Sequence, residues 1–295
     1  MNNPYQNLYI YYLSGVPILG PSLEKHENFL GMWVEEKEAF LFFSSPGHDK
    51  LSRILSQNSD VQLIDQYEMT GEEWHGDRIE SYNIESLCIS PPWDLPDGIN
   101  KDEINEKELK QNQPDQERQD ILLDPGVVFG TGRHPTTEDC LYLIHRLCKT
   151  KTIRTVVDIG TGTGLLALGA AVLGCTKVLA CDFNYLAVKT ALHNIRLNKL
   201  ENRILAFQAR GEDVMSIPCD LLIANIHYDV MRHLVNNLVN SPHLQEKQWL
   251  ILSGLLNSET KKIMDTLAAK QVHVLERRCP DGVWNTLLVR IGNRD

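Results

Sequence analysis

The stretch Thr155-Val-Val-Asp-Ile-Gly160-Thr-Gly-Thr-Gly164-Leu-Leu-Ala-Leu-Gly-Ala-Ala-Val-Leu173 decides the fold. Its first five residues are a compact apolar run ending in glycines, which predicts a buried strand. Leu165–Leu173 then reads as a buried helix. Outward from this unit the texture repeats. Lys177-Val-Leu-Ala-Cys181 is a second strand, Leu186–Asn198 a second helix, and Ile204–Phe207, Leu221–Ala224 and Trp249–Ser253 are further strands. Short apolar strands alternating with helices indicate a mostly parallel sheet covered on both faces. Trp284–Arg290 is expected to close that sheet as an antiparallel edge. Upstream, Thr136 or Thr137 is expected to cap a helix running through Leu141, Ile144 and Leu147, with Asp139 completing a capping box.

The glycines carry the first chemistry. Gly160, Gly162 and Gly164 allow a tight turn and close approach of a ligand at a helix N-terminus. Eighteen residues past Gly164, the second strand ends in Asp182, placed to accept hydrogen bonds from a ribose diol. A dinucleotide site requires G-x-G-x-x-G with a small third position, whereas here the spacing is G-x-G-x-G and Leu165 is large. S-adenosylmethionine carries no phosphate, and a looser turn that receives its amino-acid end suits it better. The candidate cofactor residues on this unit are therefore Asp158, Gly160, Gly162, Gly164 and Asp182. The bland alternative is that the glycines merely turn the chain.

Asp220-Leu-Leu-Ile-Ala-Asn225-Ile-His227-Tyr228 ends the fourth strand on the side where doubly wound sheets bind ligands. An amide oxygen and a backbone carbonyl there can hold an amine with its lone pair toward a methyl group, and Asn225 suits that task. A strand-end turn is its structural alternative. His227 and Asp124 are the candidates if a general base exists, and both also read as orienting groups. Arg210–Asp213 is placed to border an adenine.

The remaining chain sets the boundaries. Residues 1–96 read as a smaller α+β domain with one helix around Leu51, Ile54 and Leu55. Its strands are Asn7–Leu13, a hairpin of Phe29–Val34 with Ala39–Ser44, Val61–Tyr67 and Ile84–Ile89. Residues 97–120 offer almost nothing apolar to bury and read as a charged linker or insertion. Residues 121–295 form the cofactor domain. The 295 residues carry 29 Lys+Arg against 39 Asp+Glu, a net charge of −10. That balance gives no general pull toward nucleic acid or anionic lipid, and it favours a basic partner. No stretch reaches the ~20 apolar residues a membrane span needs. Seven cysteines without a Cys-x-x-Cys pair give neither a disulfide framework nor a cysteine metal site, and the reducing cytoplasm is the expected location. Nothing in the composition demands an oligomer; a monomer is compatible with it.

With Asp124-Pro-Gly-Val-Val-Phe129-Gly-Thr131-Gly132-Arg-His134-Pro-Thr136-Thr137 in view, the sequence resembles the bacterial ribosomal protein methyltransferases called PrmA. The likeness runs from about Asp120 to the end and includes the glycine loop, Ala224-Asn-Ile226 and Ser253-Gly254. It implies a Rossmann-like class I methyltransferase domain with a seven-stranded sheet, acting on lysine and N-terminal amines of a large-subunit ribosomal protein. It also implies cofactor contacts at Thr137, Gly160, Asp182 and Asn225, and a lid formed by Phe129, Thr131, Gly132 and His134. His134 would be either a lid hydrogen-bond donor or a residue at the helix start.

The chain departs from the family at Thr161 and Thr163, where Cys and Ser are usual, and at Asn184, where a second acid is common. His227-Tyr228 replaces Leu and a small residue. Ser14–Asn28, with Gly15, Pro17, Gly20 and Pro21, will not make the family's long N-terminal helix, and this opens the choice of substrate. The same enzyme class acting on another protein, RNA or a small amine is one alternative. A non-catalytic S-adenosylmethionine-binding module is the other.

Overall fold

The computed structural model describes residues 3–95, 118–240 and 248–292. Most of the charged stretch 97–120 lies outside these residues. Its last two positions, Gln119 and Asp120, belong to a strand.

The first sheet holds β1 (Leu8–Ser14), β2 (Phe29–Glu35), β3 (Glu38–Phe43) and β4 (Gln62–Met69) in the order β2-β3-β1-β4, all antiparallel. Aromatic and β-branched residues build it, as β1 (LYIYYLS) shows. Between β1 and β2 only Pro21–Glu24 is helical (α1), so the long helix is absent, as the Gly and Pro content predicts. Helix α2 (His48–Gln57) buries Leu51 and Ile54 under the sheet. A third helix, α3 (Gly71–His75), was not expected. Thr70 caps it in a full capping box with Glu73, a signal the sequence contains.

The single strand expected over Ile84–Ile89 is two, β5 (Tyr82–Ile84) and β6 (Leu87–Ser90), turning at Glu85 with φ +52°. β6 pairs in parallel with β7 (Gln119–Leu122), Leu87 opposite Gln119 and Ser90 opposite Leu122. This small sheet links the two sides of the charged stretch.

The large sheet has the order β10-β9-β8-β11-β12-β14-β13. It comprises β8 (Thr155–Ile159), β9 (Lys177–Asp182), β10 (Ile204–Gln208), β11 (Leu221–Asn225), β12 (Gln248–Leu256), β13 (His273–Arg278) and β14 (Trp284–Ile291). The five strands β8 to β12 are parallel, and only β14 runs antiparallel to its neighbours β12 and β13. β14 was expected at the edge. It is interior, and β13 forms the edge, because β14 (WNTLLVRI) is almost wholly buried while alternate residues of β13 face water.

Helices cover both faces. Val156, Val178 and Ile223 point into a core shared with α4 (Pro135–Thr150), α5 (Leu165–Val172) and α6 (Tyr185–Leu197). Their neighbours Val157 and Leu222 face a second core with α8 (Tyr228–Asn240) and α9 (Asn257–Ala269), while a four-residue α7 (Gly211–Val214) precedes β11. Because successive strand residues alternate faces, two covered faces require the continuous apolar runs seen in the sequence.

A third cluster seats the first sheet on the second. Leu8, Ile10 and Phe42 pack with Val127, Val128, Leu186 and Ala187, so the first sheet lies against α6 and the segment before the lid loop. No helix among the described residues is long and apolar enough to cross a membrane.

Candidate functional site

The site is built where β8, β9 and β11 end. The strands point their carboxyl ends to one edge, and sequence order reverses between β8 and β11, leaving a crevice there. Gly160 and Thr161 donate their amides to the Cys181 carbonyl at 2.9 and 3.0 Å, which lays the glycine loop across the end of β9. Gly162 then donates to Asp182 Oδ2 at 3.1 Å, and Asn184 donates to Asp182 Oδ1 at 2.9 Å. Burial raises the pKa of Asp182 above the ordinary carboxylate value, against these backbone hydrogen bonds. Gly162 has φ +55°, and a β-carbon there would collide with the Phe129 carbonyl, so only glycine lets the lid loop settle this close.

Asp158 lies beneath the loop, fully buried. Its Oδ2 accepts the Thr161 hydroxyl at 2.6 Å, whereas Oδ1 has no partner among the described residues. Burial pushes its pKa up to about 7. The Thr161 hydrogen bond and, more weakly, the Ala167 backbone amide oppose this, and nearby Asp182 adds to it. A buried carboxylate oxygen without a donor is costly, and it fits a cationic group of a ligand.

The Phe129–His134 loop is docked on this floor. Thr163 donates its amide to the Phe129 carbonyl at 3.2 Å and its hydroxyl to the Gly130 carbonyl at 2.6 Å. From the other side Tyr82 donates its hydroxyl to the Thr131 carbonyl at 2.8 Å, and a β-carbon at Gly132 would overlap that hydroxyl. Thr163, a departure from the family pattern, thus serves as the anchor of the loop.

His134 ends the loop. It is the N-cap of α4, its Nδ1 accepting the Thr136 amide at 3.4 Å, and its ring sits between those of Phe129 and Trp284. Burial lowers its pKa and keeps the ring neutral, as an acceptor must be. It is therefore the residue at the helix start. The expected caps Thr136 and Thr137 are interior instead: Pro135 begins the helix, which leaves capping to the residue before it. Asp139 forms no capping box; buried, it accepts Arg278 Nε at 2.6 Å.

Asn225 is the last residue of β11. Its Nδ2 donates to Thr137 Oγ1 at 3.4 Å, joining the start of α4 to the strand end, while Oδ1 has no protein donor among the described residues. Asn225 registers with Ser253 of β12, whose hydroxyl lies 2.6 Å from that of Thr286 and 3.4 Å from the Thr136 carbonyl. Gly254, at φ +86°, forms a register shift in β12, and a β-carbon there would come within 2.7 Å of the Ile226 carbonyl.

Two expected residues are not gathered into this cluster. The His227 side chain is 82% exposed and its ion partner is Asp229, at 3.9 Å. Asp124 accepts Tyr5 Oη at 2.6 Å and the Gly126 amide at 3.0 Å, with His193 Nε2 at 3.4 Å. Burial would raise its pKa, but those hydrogen bonds outweigh burial and hold it below the ordinary value. A carboxylate so committed is a junction between the first sheet and α6, and a poor base. Arg210–Asp213 enters and forms α7 after β10.

Sequence reasoning missed Asn194. Fully buried on α6, it accepts the Asp124 amide at 2.8 Å and donates to the Asp124 and Thr163 carbonyls at 2.8 and 2.9 Å. One turn on, Asn198 pairs in the same way with both backbone groups of Leu122. Each amide copies a strand's donor and acceptor; Asn194 ties Asp124 to the glycine loop at Thr163, and Asn198 ties β7 to the end of α6. Their i, i+4 spacing was the available signal. Asn184 is likewise accounted for: its Oδ1 caps α6 and its Nδ2 donates to the Val34 carbonyl of β2.

Comparison with known proteins agrees with this architecture. The family profile described as ribosomal protein L11 methyltransferase (PrmA) matches residues 102–291. A ribosomal protein L11 methyltransferase of Anoxybacillus flavithermus is 30% identical over 247 residues, covering 81% of this chain and 70% of the relative. One from Streptococcus thermophilus is 29% identical over 249 residues, covering 82% and 71%. The crystal structure of a ribosomal protein L11 methylase from Lactobacillus delbrueckii subsp. bulgaricus superposes with a TM-score of 0.57 at 28% identity, over 72% of this chain and all of that one. The expected class I methyltransferase fold is thus present, and this chain belongs to the ribosomal protein L11 methyltransferase (PrmA) family.

Proposed function

We propose that this chain is an S-adenosylmethionine-dependent N-methyltransferase acting on lysine or N-terminal amines of ribosomal protein L11. The observation that supports this reading is the pairing at one strand edge of two acceptors with no hydrogen-bond donor among the described residues, buried Asp158 Oδ1 and Asn225 Oδ1. The first suits the ammonium of the cofactor's amino-acid end, with Gly160, Gly162, Gly164 and Thr137 around it and Asp182 toward the ribose. The second suits an incoming amine. When bound, S-adenosylmethionine supplies a methyl group on sulfur already activated for displacement.

The protein's work is then alignment and exclusion of water. Asn225 Oδ1 and the Ile226 carbonyl accept the N–H groups of a neutral amine and point its lone pair at the methyl carbon. With S-adenosylmethionine held there, transfer would form the nitrogen–carbon bond and break the carbon–sulfur bond, the electron pair leaving with sulfur. A lysine near pKa ~10.4 must shed a proton first, and water takes it as the amine leaves solvent. The buried, committed Asp124 and the exposed His227 are not needed for this. The docked Phe129–His134 loop shields the crevice. The test is transfer from labelled S-adenosylmethionine to purified large subunits and to free L11, with mass-spectrometric mapping. Label on L11 amines is expected. Label on a different protein, on RNA, or on nothing while cofactor still binds would reject the substrate assignment.

A further inference from the structure

A cavity of about 530 Å³ lies on the far side of the lid loop, between that loop and the first sheet. This size is within the range of ligand sites. Its walls are aromatic: Trp33, Phe40 and Phe42 from β2 and β3, Trp74 from α3, and Phe129 from the lid loop. Two of these rings stay open to water, Phe129 at 55% and Trp74 at 38% exposure. Trp74 is held in place by its indole N–H, which donates to the Val127 carbonyl at 3.1 Å. None of Asp158, Gly160, Asp182 and Asn225 lines the cavity.

The charge at its rim is negative. Glu35 and Asp77 line it, both exposed and neither in an ion pair with a described residue. The cation in the lining, Arg133, pairs through Nη2 with Glu80 at 3.2 Å and lies over the face of Tyr82 at 4.9 Å, while its buried Nε has no partner among the described residues. The two histidines of the lining, His75 and His134, both have pKa values lowered by burial and are neutral near pH 7. A wider asymmetry adds to this. Residues 1–96 contain 15 Asp+Glu against 5 Lys+Arg, whereas the remaining 199 contain 24 of each. The whole net charge of −10 therefore sits on the unit that forms one wall.

Aromatic faces with carboxylates at their edge attract an organic cation, and such a site desolvates it at little cost. We propose that this cavity is a subsite for a cationic side chain, a lysine or arginine neighbouring the methylated amine in the polypeptide substrate. The inference deepens the proposed function and rests on a basic polypeptide as substrate. The lid loop forms one wall of the cavity and is bonded to the glycine loop through Phe129 and Gly130. A side chain seated there packs against the loop whose other side is docked on the glycine loop.

The experiment uses the full chain. Its tryptophan fluorescence is titrated with a capped tri-lysine peptide and with the same peptide acetylated on its side chains, and cofactor affinity is measured separately by calorimetry. The cationic peptide is expected to bind and the acetylated one is not. Trp33→Ala and the double variant Glu35→Gln/Asp77→Asn should each weaken binding about tenfold and raise KM for L11 by a like factor. The kcat and cofactor affinity should be unchanged, and Trp33→Phe should restore most of the loss. Equal binding of both peptides, or variants that weaken the cofactor instead, would overturn the proposal. If wild type binds the cationic peptide yet does not methylate L11, the subsite stands and the assignment of L11 falls.

Discussion

Replacing Asp158 with asparagine separates the stability of the chain from its affinity for cofactor. The carboxyl is fully buried, and burial moves its pKa from the ordinary 3.8 to about 7. A carboxyl with a raised folded pKa leaves the folded state most stable below the unfolded value, near 4. That stability is lost as pH rises, completely so above about 7. Three pH units at about 1.36 kcal/mol each give a cost of ~4 kcal/mol at pH 8. Asparagine keeps the acceptor for Thr161 but leaves an amide N–H₂ buried, which costs about 1–3 kcal/mol. The variant without cofactor is therefore expected to be about 1–3 kcal/mol more stable than wild type at pH 8, and less stable than wild type at pH 4. Urea unfolding at the two pH values reads this directly. Cofactor affinity, by calorimetry, should rise with pH through about 7 in wild type and be weak and nearly pH-independent in the variant. A variant no more stable than wild type at pH 8, or one showing the same difference at both pH values, would refute the assignment of a buried carboxylate destabilised by desolvation.

Asp182→Ala removes a buried acceptor at the ribose side and should weaken cofactor binding by about tenfold or more by calorimetry. Asn225→Ala should slow methyl transfer by about a hundredfold with cofactor affinity nearly unchanged, read by comparing single-turnover rates with titrations. Asn194→Leu strands three backbone groups at the base of the lid. It should cost about 3–5 kcal/mol, lowering Tm by roughly 10 °C. His227→Ala, with its ring in solvent, should leave kcat and KM within about twofold of wild type in a steady-state methylation assay.

The repeated strand–helix units were legible because burial on two faces demands apolar runs, and Asp182 and Asn225 because strand ends feed a common edge. The Phe129–His134 loop was singled out by the family resemblance, and the close approach of its backbone to Gly162 and Tyr82 is seen only in the folded chain. The placement of β14 inside the sheet was not legible, because an antiparallel insertion leaves the local pattern of a strand unchanged. The capping of α4 by His134 was missed because Thr136 and Thr137 are the better caps by residue type, although Pro135, which favours the first helical position, is a signal the sequence contains.

The sequence by itself determined the parallel sheet, the glycine turn and the carboxylates near it, since periodicity and spacing are local properties of the chain, and its Asp124–Thr137 motif carried the family resemblance. Only the tertiary structure decided which polar groups were already satisfied. It assigned Asp124 and Asn184 to the seam with the first sheet, left His227 in water, and kept Asp158 and Asn225 with open acceptors. Hydrogen bonds between residues 119 or 150 positions apart, such as Tyr5 to Asp124 and Asn184 to Val34, exist only once the sheets are docked. No local pattern can announce them.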